Sequence, residues 1–112
     1  MTTEEFVKGF HLHKQEMLQV YLSHGSDTHV GQLIEKLNLS EEQRATFEKL
    51  LDASFNDLMY SILLAFDGST SIGNLEQQLY TIFDEKGNQL GGEEQCGDIE
   101  ALAYEYFHEG NS

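Results

Sequence analysis

In this 112-residue chain, histidines and carboxylates are the side chains whose types could hold a metal or move a proton. His11 and His13 form an H-x-H pair, and His24 and His29 lie within twenty residues of it. On a helix, two positions turn a side chain by about 200°, so His11 and His13 point to nearly opposite sides. A metal would then need an extended segment at 10–14, or help from the loop carrying His24. No H-E-x-x-H or C-x-x-C spacing occurs, and scattered surface histidines account for the pattern without a metal. Asp67-Gly68-Ser69-Thr70-Ser71 is a second candidate, because a carboxylate followed by hydroxyls can present several oxygens. An EF-hand loop needs carboxylates or amides at alternating positions, and Ser69 and Ser71 stand there instead. The plainer reading is a helix end with Gly68 in the left-handed conformation and Ser71 or Asn74 capping the next segment.

Gly91-Gly92-Glu93-Glu94 has the glycines of a phosphate loop but puts two carboxylates where the anion would sit. No serine lies in a G-x-S-x-G elbow. The adjacent pairs Glu41-Glu42, Asp84-Glu85 and Glu93-Glu94 diverge on a helix or strand and read as solvated charge. No catalytic residue, metal ligand or cofactor is therefore assigned. The last apolar segment is more suggestive: Tyr104, Tyr106 and Phe107 crowd beside Glu100, Glu105 and Glu109. With Tyr106 and Phe107 inward, Tyr104 shares an outer face with Glu100 and His108 by i,i+4 spacing. An exposed tyrosine among carboxylates is the composition of an interface hot spot for a basic partner. Glu93, Glu94, Glu100, Tyr104 and Glu105 are accordingly the candidate partner-binding residues. A half-buried tyrosine that keeps its hydroxyl wet is the competing account.

The elements that must position these groups are set by periodicity. Thr3 is expected to cap a helix with Glu4 and Glu5 in its first turn and Phe6, Phe10, Met17, Val20 and Tyr21 at roughly helical spacing up to Leu22. A shorter helix capped by Asp27 or Thr28 carries Val30, Leu33, Ile34 and Leu37, and Asn38 ends it. Ser40-Glu41-Glu42-Gln43 is a capping box that opens the strongest helix. Its apolar face runs from Phe47 and Leu50 to Phe66 and is apolar nearly all round from Leu58, as a helix in the middle of the core would be. Residues 67–73 then break it. Leu79 to Phe83 alternate as a strand entering the turn Asp84–Asn88, with Gln89-Leu90 starting the return strand. A helix over 74–83 competes, since Leu75, Leu79 and Ile82 also share a helical face. Asp98 is expected to cap a final helix carrying Ile99, Leu102, Ala103, Tyr106 and Phe107 and ending near Gly110. The fold class expected is α+β and mostly helical, with three N-terminal helices of which the third is central and buried, a short β-hairpin and a C-terminal helix, in a single domain over 1–112.

Charge narrows the function. Twenty acids against six Lys and Arg give a net −14, and the excess is uneven. Residues 1–50 hold eight acids and five bases, whereas 51–112 hold twelve acids and one base, Lys86. Such a chain does not hold a nucleic-acid backbone or an anionic membrane surface. At 39% hydrophobic and 11% aromatic it is too apolar for a disordered acidic tail. The lone Cys96 cannot close an internal disulfide. The start Met1-Thr2-Thr3-Glu4-Glu5 lacks the basic and apolar regions of a secretory signal, and the cytoplasm is the expected compartment.

These features point to a non-catalytic acidic interaction module for a basic protein partner. An immunity-type inhibitor of a toxin or nuclease and a nucleic-acid mimic are concrete forms of it. The alternative is a small metal- or metabolite-binding domain, or a minor enzyme, built on His11, His13 and the Asp67 loop. A homodimer through the very apolar stretch 58–66 is compatible with the first reading.

Overall fold

A computed structural model describes residues 1–108 of the chain. Local capping chemistry sets the helix starts. Thr2 accepts the Glu5 amide on its side chain while Glu5 reaches back to the Thr2 amide, and α1 runs from Thr3 to Leu22. The cap is thus Thr2 and not Thr3, whose hydroxyl instead donates to the Leu90 carbonyl at 2.9 Å. Thr28 caps α2 (His29–Lys36) by accepting the Gly31 amide, and Asn38 leaves it in the left-handed conformation at φ 50°. The Ser40/Gln43 capping box forms as expected and opens α3 (Glu41–Phe66).

The hairpin is shorter than the alternation suggested. β1 (Ile82–Phe83) pairs antiparallel with β2 (Gln89–Gly91), in the register Ile82 to Gly91 and Phe83 to Gln89, with a bulge between. Leu79 makes only an isolated bridge to Asp67. The helix over 74–83 does not form. Even-numbered residues of this segment face inward: Tyr80 meets the Phe66 ring at 6.1 Å and Ile82 packs on the core, while Thr81 and Phe83 are exposed. Gly91 sits where a Cβ would approach Ile99 Cδ1 to 3.0 Å, so the hairpin packs closely on α4 at a position without a side chain.

Helix α4 (Asp98–His108) packs against both α1 and α3, and these three helices make the core. Val7, Leu63, Ile99, Ala103 and Phe107 are buried at its centre, with Phe10, Met59, Tyr60, Leu64, Phe66 and Ile82 against them. The mostly helical α+β class is as expected, but α3 is central only in its last turns. Its 26 residues extend about 39 Å, in a molecule of 49 × 29 × 26 Å, so its N-terminal half reaches beyond α4. Leu50 is 61% and Leu58 58% exposed, and only Leu63 and Ala65 are fully buried. Most of the apolar stretch 58–66 is covered within the chain. The expected helix end near Gly110 lies outside the described residues.

The buried stripe of α1 is Val7, His11 and Lys14, with Phe6, Phe10, Met17 and Tyr21 at its margins and Val20 half exposed. Lys14 is 1% exposed, yet its ammonium is satisfied: Nζ pairs with Asp52 at 3.0 Å and donates to Asn56 Oδ1 at 3.2 Å. Asn56 Nδ2 donates in turn to the Phe107 carbonyl at 2.8 Å. One polar chain therefore ties α1, α3 and α4 together, while the ammonium lies over the Phe107 ring, 5.8 Å from its centroid.

Candidate functional site

The residues proposed for a metal or metabolite site are not brought together. His11 is buried against Tyr106 and Phe107, whereas the exposed His13 lines a surface groove of about 420 Å³ with Glu5, Phe6, Gly9, Phe10 and Met59. The 200° divergence read from the sequence is thus realised. Burial, reinforced by Lys14, lowers the His11 pKa below its ordinary value, against an opposing pull from Asp52. No group of three or more His, Cys, Asp or Glu side chains suited to a metal occurs among the described residues.

Asp67 has a different task. Helix α4 begins after Gly97, whose carbonyl accepts from the Ala101 amide but which has no side chain to cap with. Asp67, 5% exposed at the end of α3, supplies the missing cap: Oδ1 accepts the Gly97 amide at 3.0 Å and Oδ2 the Glu100 amide at 2.9 Å. The expected cap, Asp98, is the first residue inside the helix. Gly68 at φ 80° comes after Asp67 and turns the chain, as the helix-end reading required.

The exposed edge of α4 against α3 carries the groups predicted for a partner. Tyr104 is 50% exposed and leans on His108, with ring centroids 5.4 Å apart and tilted by 32°. His108 stands edge-on to Tyr60 of α3 at 4.3 Å. Glu100 is held from two sides, by its amide on Asp67 and by Ser69 Oγ, which donates to Oε2 at 2.7 Å. Burial, then the Glu100 carboxylate and Tyr104, push the Tyr60 hydroxyl above its ordinary pKa, so these side chains share one electrostatic neighbourhood.

Of the five candidates, Glu100 and Tyr104 form this cluster. Glu93 and Glu94 are exposed in the turn before α4. Glu105 is exposed about 100° further round the helix, on the side of Tyr106, whose hydroxyl donates to Glu4 at 3.0 Å. The five are therefore not one continuous face. Sequence reasoning missed Tyr60, and it singled out Ser69 only as part of the Asp67 loop and not as a partner of Glu100. A polar-tipped Tyr60 inside an otherwise apolar run was the available signal for the first, and nothing linked Ser69 to a residue 31 positions on.

A second groove of about 540 Å³ lies between α1 and α3, and the Asp52 and Glu48 carboxylates on its wall are engaged by Lys14 and Arg44. No helix among the described residues is long and apolar enough to cross a membrane. No family model, curated protein or solved structure matches the chain.

Proposed function

We propose that this protein is a non-catalytic acidic interaction module that binds a basic protein partner through the turn before α4 and the exposed edge of α4. The observation that carries the reading is the concentration of acidic residues in one segment. Residues 91–108 hold Glu93, Glu94, Asp98, Glu100 and Glu105 and no Lys or Arg. The α1–α3 side of the molecule is more evenly balanced, with Lys14 paired to Asp52 and Arg44 to Glu48. A surface of this kind raises the encounter rate with a cationic protein, and Tyr104 offers an aromatic anchor beside the charge. An inhibitor of the immunity type, seated on the basic cleft of a nuclease or toxin, is the form that best uses a negative, nucleic-acid-like edge.

The test is affinity capture from source lysate at low salt with wild type and with a Glu93→Lys/Glu94→Lys/Glu105→Lys variant, followed by a salt wash series and association kinetics on the retained protein. A basic protein held by wild type, released by moderate salt and bound at least about tenfold more slowly by the variant is expected, since steering terms span one to three decades. Equal retention by both proteins, or no basic protein on wild type, refutes the reading.

A further inference from the structure

We propose that the Tyr104 edge of α4 is a seat for an arginine side chain, whose guanidinium lies on the Tyr104 ring and pairs with the Glu100 carboxylate. This rests on the basic-partner reading and adds the side chain that the surface recognises. Three observations carry it.

First, Tyr104 is presented rather than merely exposed. His108 contacts one part of the ring at 5.4 Å, and Tyr60 meets His108 edge-to-face at 4.3 Å from the neighbouring helix, so the half-exposed Tyr104 stands at the end of a row of ring contacts that reaches back to α3. A platform ordered before binding loses little rotamer freedom when a ligand arrives. Second, the acid beside it is oriented. Glu100 lies one helical turn before Tyr104, and Ser69 holds Oε2, leaving Oε1 without a hydrogen bond among the described residues. A carboxylate fixed next to an aromatic face matches a planar cation that both stacks and donates from its edge. Third, no Lys or Arg occurs between residues 91 and 108, and Glu100 takes part in none of the ion pairs among the described residues.

These features favour arginine over lysine. A guanidinium can lie flat on a ring while its N–H edge reaches a carboxylate, and it is less strongly hydrated than an ammonium. A lysine ammonium meets the charge but not the plane. The distinction separates this seat from general attraction to an acidic surface, which does not discriminate between the two.

The experiment is an NMR titration at pH 8 of the full chain, ¹⁵N-labelled, with blocked peptides Gly-Gly-Arg-Gly-Gly and their Lys and citrulline counterparts. Expected are shifts centred on Glu100, Tyr104 and His108, with arginine binding more tightly than lysine and citrulline weakest. Tyr104→Ala should weaken the arginine peptide about two- to fivefold, the fold-change of an exposed cation–π contact. Tyr104→Phe should bind as wild type does, and Glu100→Gln should reduce arginine toward citrulline. Equal binding of arginine and lysine, with shifts spread over Glu93, Glu94 and other carboxylates, overturns the seat and leaves the basic-partner reading standing. Shifts from no peptide also overturn the seat, and the partner reading is then decided by the capture experiment alone.

Discussion

Replacing Asp67 tests whether α4 is capped across the fold. The carboxylate accepts two amides of one helix start, Gly97 at 3.0 Å and Glu100 at 2.9 Å, from a position 5% exposed. Hydrogen bonds to a charged acceptor contribute about 1.5–3 kcal/mol each. Both here share one carboxylate, and Gly97 and Glu100 are only partly buried, so water recovers some of the stabilisation that Asp67→Ala removes. The expected loss is about 3 kcal/mol. For a domain near this size that is a fall in Tm of about 10–20 °C. Asp67→Asn keeps one acceptor but turns an NH2 toward the second amide, and should cost about 2 kcal/mol. Urea unfolding supplies the free energies. Native-state hydrogen exchange supplies the location, because the Gly97 and Glu100 amides should lose protection in Asp67→Ala before the middle of α1 does. A loss below about 1 kcal/mol, or unchanged exchange at both amides, would show that the cap does not hold α4 in place.

Two groups should make stability depend on pH. His11 has a folded-state pKa below its ordinary value because it is buried and faces Lys14, with Asp52, Tyr106 and Phe107 as its other neighbours. The unfolded chain therefore takes up the proton first, and stability should fall as pH drops from about 6.5 toward the folded value, with no further contribution from this group below it. The urea midpoint should decline less between pH 7.5 and 5.5 in His11→Leu than in wild type, and equal declines would reject the assignment. The Asp84 pKa is also lowered, further down the acid range. Its carboxylate accepts the Asn88 side chain and amide and the Lys86 amide, pairs with the Met1 amine, and is held down at about 2. Its contribution is complete above the unfolded value near 4 and is lost as pH falls to about 2. The stability gap between wild type and Asp84→Ala should narrow over that window, and a gap constant from pH 4 to 2 would count against the turn's carboxylate hydrogen bonds.

The features legible in the sequence and those hidden from it divide by the range of the interaction. Thr28, Ser40 with Gln43, and Asn38 as the end of the second helix were legible because each acts on a backbone within three residues of itself. The row Glu100, Tyr104, His108 was legible for the same reason, as spacing on one helix. Asp67 was not: its partners lie 30 and 33 residues away, and the sign that a distant cap was needed was Gly97, a helix start with no side chain. Nothing in the chain says which carboxylate answers that need.

Lys14 was hidden for a different reason. The helical spacing read along α1 ran through Phe6, Phe10, Met17, Val20 and Tyr21, whereas the buried line is Val7, His11 and Lys14. Hydrophobic patterning treats a lysine as a charge, but its stem is apolar, and a single well-placed acceptor pair on another helix, Asp52 and Asn56, lets the whole residue go inside. The proposed interaction edge depends on this burial. Asn56 holds the Phe107 carbonyl, so the Lys14 network fixes the last turn of α4 one residue before His108, the ring on which Tyr104 leans. The polar core of the three-helix unit and the ring contacts on its surface thus meet at consecutive residues of α4, Phe107 and His108.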